Sequence, residues 1–224
     1  MREDVLNIKE VMNEKKFNVD KTASAECLAT DILACKTGIC DIDSQLQVFK
    51  PGEITVLAGR PAMGKTTVAM NIHQHIVKNE RARSVYVGGP CSIEEITGKE
   101  MVQFIAQQHI GILIIDFVQI IHGQDMTLGD IMSELRAMAN RFGISILVCS
   151  QLLRDVEYRP DHIPTIMDLN PVVANNAHNI VLIFRESYYN PDKRLDANMT
   201  ILEEMKYIIA RDSDNTDKRK EKLL

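Results

Sequence analysis

Three groups of residues in this chain have the types and spacing that phosphate chemistry needs. The first is the run Gly59, Arg60, Pro61, Ala62, Met63, Gly64, Lys65, Thr66, Thr67, which satisfies G-x-x-x-x-G-K-[ST] without a gap. In such a loop, backbone N–H groups at a helix N-terminus converge on one centre, and the helix dipole adds positive potential. Gly64 keeps a Cβ out of the way of a phosphate, Lys65 brings an ammonium to the terminal phosphates, and the Thr66 hydroxyl can join a magnesium shell. The second group is Asp116, which closes the apolar run "ILIID". A carboxylate at the carboxyl end of a buried strand sits at the rim of a sheet, where it can hold magnesium directly or through water. A strand-end acid can also be a plain helix cap; beside the loop above, magnesium support is the reading adopted. The third is Ser150-Gln151 after "ISILVC", a neutral amide able to sense a terminal phosphate. ATP and Mg2+ are the ligands this set points to.

The surrounding pattern supplies the strands and helices these residues require. "ITVLA" (54–58) reads as a buried strand feeding the loop, and a helix beginning near Gly64 uses Val68, Ala69, Ile72 and Ile76 as its inner face. "SVYVG" (84–88), "ILIID" (112–116), "ISILVCS" (144–150) and "NIVLIF" (179–184) read as further strands. Residues 93–108 read as one helix, and "TILEEMKYIIA" (200–210) as a strand or hairpin. Leu128, Ile131, Met132, Leu135, Ala139 and Phe142 follow helical spacing, with Gly143 as the stop. Strands alternating with helices predict an α/β fold with a mostly parallel sheet covered on both faces.

The bulk numbers set bounds. The chain has 224 residues, ordinary globular composition at 45% apolar and 25% charged, and a formal net charge of −5. No overall basic surface therefore draws in nucleic acid, although a local patch still can. No run of 18 apolar residues and no apolar signal core is present, so no membrane span is expected and a cytoplasmic setting is. Cys27, Cys35, Cys40, Cys91 and Cys149 are odd in number and form no C-x-x-C pair, which favours free thiols. His73 and His75 lie two apart on a predicted helix and are read as packing or surface residues. The division expected is a helical arm or linker over 1–35, an ATPase domain over 36–210 and a charged tail over 211–224.

In this order the three groups resemble the C-terminal motor domain of DnaB-type replicative helicases, within the RecA-like P-loop NTPases. The likeness runs through "TGICDIDSQLQVFKPGEITVLAGRPAMGKTT" (37–67), where Arg60, Pro61 and Met63 are the most family-specific, and through "GILIIDFVQII" (111–121), "ISILVCSQLLRDVEYRP" (144–160) and "IVLIFRESYYNPD" (180–192). The resemblance implies a RecA-like core in which Lys65 and Thr66 contact phosphate and magnesium, Asp116 is a magnesium partner and Gln151 is the phosphate sensor. It also implies a homo-oligomer, a hexameric ring around single-stranded DNA with nucleotide held between subunits, and it makes Arg211 a cation offered to the neighbour's triphosphate.

Four departures qualify the likeness. The family's water-polarising glutamate is replaced by Pro90, which can neither accept a proton nor orient water; Glu94 and Glu95 lie too far along the chain to replace it. The stretch between that strand and the magnesium strand is short, 92–110. The last motif keeps Arg211 but has Ser213 where an arginine belongs, with Asp212 and Asp214 alongside. The DNA-contacting turn reads "LNPVVANNAHN" (169–179), without its arginine and glycine, which weakens the electrostatic share of DNA binding. Arg154 and Arg159 are the nearest compensating cations, against a plain salt-bridging role with Asp155 and Glu157. The leading reading is an ATP-dependent DNA helicase motor; the alternative is a degenerate relative that binds nucleotide without useful turnover and serves assembly or regulation. A RecA-like recombinase that coats DNA as a filament is the third reading, opposed by Arg60, Pro61 and Met63 and by the Tyr188-Tyr189-Asn190-Pro191-Asp192 turn.

Overall fold

The computed structural model describes residues 35–79, 82–190 and 201–211. The central strands are apolar along their whole length because both of their faces are covered. β1 (Ile54–Gly59), β4 (Ile110–Asp116) and β7 (Asn179–Phe184) are buried at every position. With β2 (Arg83–Gly88), β6 (Ser145–Gln151) and β8 (Lys206–Arg211) they form a six-stranded sheet in the order β2-β4-β6-β1-β7-β8. All neighbours are parallel except β7 and β8, which run antiparallel. A second, two-stranded parallel sheet joins β3 (Cys91–Ser92) to β5 (Ile121–His122).

The alternation of side chains along each strand divides the core in two. On one face Ile54, Val56, Leu113, Ile115, Ile146, Val148 and Leu182 pack against α3 (Ile93–Thr97), α4 (Lys99–Gln108), α5 (Leu128–Phe142) and α6 (Pro171–Asn176). On the other face Leu57, Ile112, Ile114, Leu147 and Val181 pack against α2 (Lys65–Asn79), through Val68, Ala69, Ile72 and Ile76, and against Ile42 of the short helix α1 (Cys40–Asp43). Each fully buried aliphatic side chain contributes about 1.5–3 kcal/mol, so the sheet and α2 form a firm base for whatever sits at the strand ends.

Helix ends follow local chemistry. Thr127 and Asp130 close a capping box at the start of α5, and Gly143, at φ 62°, ends it as expected. Two expectations need correction. The single helix over 93–108 is two helices, because Gly98 is extended and a Cβ there would lie 2.2 Å from the Glu94 carbonyl oxygen. The strand or hairpin over 200–210 is a short helix, α8 (Ile201–Glu204), followed by β8; α7 (Glu186–Tyr189) precedes it. The segment 169–179, read as a DNA-contacting turn, contains α6, capped by the Asn170 side chain and with Pro171 at its first position. All of the arm read over 1–35 except Cys35 falls outside the described residues, as do Asp212, Ser213, Asp214 and, in the turn 188–192, Pro191 and Asp192. Cys91 and Cys149 are buried free thiols, Cys40 is an exposed one, and Cys35 is buried.

Candidate nucleotide site

The phosphate loop is the turn from β1 into α2. Ala62 and Gly64 both take left-handed backbone, at φ 63° and 92°; for an alanine this is uncommon and marks a loop held by its surroundings. Met63 supplies part of that hold. Its side chain is buried in the core under α2, so what it can offer a ligand is backbone. Gly59 packs closely, with an added Cβ 3.4 Å from Ile183 and from Lys65. Lys65 folds over the loop and donates to the Arg60 carbonyl at 2.9 Å. Burial lowers its pKa, while the Asp116 carboxylate pulls it back up. Thr66 is exposed at the helix start and Thr67 is half-buried.

Arg60 is not a free cation. It donates from Nε to Glu157 at 2.7 Å and from Nη1 to the Leu152 carbonyl at 2.8 Å. The Arg60 hydrogen bond holds the Glu157 carboxyl below its usual range, and Glu157 also accepts from the Tyr189 hydroxyl at 3.2 Å. Arg60 thus ties the loop to the segment that follows the sensor strand. Its Pro61 neighbour is exposed.

Asp116 ends β4 beside this loop, almost fully buried. Its Oδ2 accepts from the Tyr86 hydroxyl at 2.8 Å, while Oδ1 is buried without a hydrogen-bond partner. Burial pushes the nearby Cys149 thiol well up, with the Asp116 charge acting in the same sense, so it stays protonated. An orphaned, buried carboxylate oxygen within electrostatic reach of the Lys65 ammonium fits a magnesium ion or its bound water. Gln151 closes β6 opposite Gly59. Its backbone is clasped by Gln119, whose Oε1 accepts from Gln151 N at 3.4 Å and whose Nε2 donates to Ser150 Oγ at 2.8 Å.

The structure therefore brings together Gly59 to Thr67, Asp116 and Gln151. It does not bring Arg211 to them. Arg211 lies at the other end of the sheet, opposite Ile180 at the start of β7, and its guanidinium donates to the carbonyls of Ala174 and Ala177, the latter at 3.0 Å. Pro90 stands in an exposed turn with Gly88 and Gly89. Glu95 is occupied as the reciprocal cap of α3, accepting from Ser92 N at 2.7 Å, and Glu94 points to solvent. Arg159 is held by Asp168 through two bonds of 2.8 and 2.7 Å, so its partner is Asp168 rather than Asp155 or Glu157. Arg154 is exposed. Sequence reasoning missed Tyr86, Gln119 and Arg185, whose Nη2 reaches the Ala62 carbonyl at 3.4 Å. Only the Asp-x-x-Gln spacing from Asp116 to Gln119 gave any signal.

Comparison with known proteins places this geometry. The model for the DnaB-like helicase C terminal domain matches residues 34–94 and 88–216. The chain is 24% identical to the replicative DNA helicase DnaB of Rickettsia prowazekii, over 81% of this chain and 54% of that protein. It is 22% identical to the replicative DNA helicase DnaC of Bacillus subtilis, over 83% and 54%. The chain thus spans about half the length of the curated relatives it matches. The first alignment is 261 positions long, more than the 224 residues present here, so that relative carries residues with no counterpart in this chain. Among solved structures, an isolated ATPase domain superposes with a TM-score of 0.66 at 19% identity, covering 87% of this chain and 93% of that one. A DnaB-like replicative helicase described with its primase interactions gives 0.64 at 20%, covering 80% and 58%. A KaiC-like protein from Pyrococcus horikoshii gives 0.52 at 13%, covering 79% and 87%. These likenesses establish a RecA-like fold.

Proposed function

The chain belongs to the DnaB-like helicase C-terminal domain family, and from that premise we propose that it is an ATP-driven motor domain that binds Mg-ATP and moves along single-stranded DNA as part of a ring of its own copies. The observation that carries the proposal is the joining of an intact phosphate loop to an unpartnered carboxylate oxygen on Asp116, with Lys65 between them in charge. The reaction is in-line attack of water on the terminal phosphoryl group. Backbone N–H groups of the Gly59–Thr67 loop, Pro61 excepted, and the Lys65 ammonium bind the phosphates and stabilise the charge that spreads over them. Thr66 and Asp116 would hold magnesium, which supplies further neutralisation of the phosphate oxygens when bound. Gln151, its backbone fixed by Gln119, is set to read the terminal phosphate. Arg211 acts, on this proposal, only across a subunit boundary, on the neighbour's nucleotide.

Turnover is proposed to be slow. No acid stands where Pro90 is; of the two acids that follow it, Glu94 points to solvent and Glu95 is committed to a helix cap. This observation favours the second reading, a nucleotide-binding module without useful hydrolysis. The test is ATP hydrolysis with and without single-stranded DNA, beside a nucleotide titration. Hydrolysis that DNA stimulates and Lys65→Ala abolishes supports the motor. Tight binding with no stimulated turnover supports the module. No binding by a folded chain refutes both.

A further inference from the structure

Tyr86 and Gly88 lie two apart on β2, and their register partners on β4 are Ile114 and Asp116. Strand side chains alternate between faces, so all four share the face that packs under α2. The Tyr86 ring does not stand straight out from this face. It leans along the strand over Gly88, so closely that a Cβ on Gly88 would lie 2.7 Å from Tyr86 Cε1. That lean brings the hydroxyl to Asp116 Oδ2 at 2.8 Å. Without a side chain at 88 the ring has its path; with one, it must move.

Resting on the magnesium reading of Asp116 above, we propose that Tyr86 is the positioning residue for Asp116, and that the absence of a side chain at Gly88 is what lets it act. One carboxylate oxygen is held by the phenol, so the carboxylate plane is fixed. The other, Oδ1, is left unsatisfied and buried beside the phosphate loop. Cys149, the near neighbour below, offers only a weak thiol donor. A phenol is protonated at neutral pH, and so Tyr86 serves as the donor in its bond to Asp116. Losing that donor frees the carboxylate to turn toward Lys65, a direct ion pair that competes with the metal.

The test is calorimetric titration of the whole chain with a non-hydrolysable ATP analogue, in magnesium and in EDTA. Tyr86→Phe keeps the ring and removes only the hydroxyl. It is expected to lower affinity in magnesium by about tenfold and leave affinity in EDTA unchanged. Gly88→Ala retains the hydroxyl but displaces the ring, and should do the same. The double variant should be no worse than Tyr86→Phe alone, since both act through one bond. An equal fall in magnesium and EDTA, additive losses, or no loss in magnesium would overturn the proposal. If the unaltered chain gains nothing from magnesium, the metal role of Asp116 fails and this inference with it. If it gains and Tyr86→Phe gains as much, only the inference fails.

Discussion

Two parallel strands of the central sheet, β1 and β2, end in glycine at the same rim, and the turns beyond them are opposite in kind. After Gly59 the chain makes a tight loop with two left-handed residues, buries Met63 beneath itself and enters a 15-residue helix. Arg60 and Lys65 close it with hydrogen bonds of 2.7 to 2.9 Å. After Gly88 come only Gly89 and Pro90, all three exposed, with open space where a Cβ on Gly89 would be. One strand end has the geometry of an anion cradle; the other carries nothing that could move a proton. On the proposed function, binding rests on the first strand end and hydrolysis on the second.

The comparison can be broken most directly at the bare end. Pro90→Glu is expected to raise ATP turnover by roughly 100-fold with nucleotide affinity unchanged; a phosphate-release assay with a parallel titration checks it, and unchanged turnover would mean that more than the acid is missing. At the built end, Lys65→Ala should weaken nucleotide binding by about 2 kcal/mol, some 30-fold, measured by calorimetry. A smaller effect sharpens the role of the loop's supports. Arg60→Ala removes the tie to Glu157 and Leu152 and should lower affinity by about 1 kcal/mol, with a drop in Tm; a Tm drop alone would make the tie purely structural.

The smallest effect concerns the far end of the sheet. His178 Nδ1 accepts from the Ile54 amide at 2.9 Å, a bond the imidazolium cannot keep. Burial lowers the His178 pKa, against the opposing charge of Glu53 and with help from Arg136 and Arg211; burial lowers that of His73 too. The folded values lie below the unfolded one, so at acid pH the unfolded chain takes up protons first. Stability is full above the unfolded value near 6.5 and falls as pH drops below it. Denaturant midpoints at neutral and mildly acid pH should show a loss under about 1 kcal/mol, smaller in His178→Gln, where an amide oxygen can still accept.

Much of the scaffold was legible because its signals are local. The strands β1, β4 and β7 read as apolar runs since both faces are covered, and the phosphate loop read as a motif since its parts are contiguous. What escaped depends on pairs distant in sequence. Arg60 and Glu157 are 97 residues apart and Tyr86 and Asp116 are 30 apart; no periodicity reports such meetings. The break at Gly98 was missed because the apolar spacing continues across it while the backbone does not. Arg159 read as a candidate DNA contact, whereas burial of Asp168 gives it a partner that exposed side chains rarely supply.

The two-residue pairing of Cys91 and Ser92 with Ile121 and His122 has a consequence for redesign. It staples the segment leaving Pro90 to the segment leaving Asp116, so the turn at 88–90 is pinned at both ends. A residue grafted there inherits a fixed address relative to the Asp116 carboxylate, and a search over neighbouring substitutions reduces to choosing side-chain length.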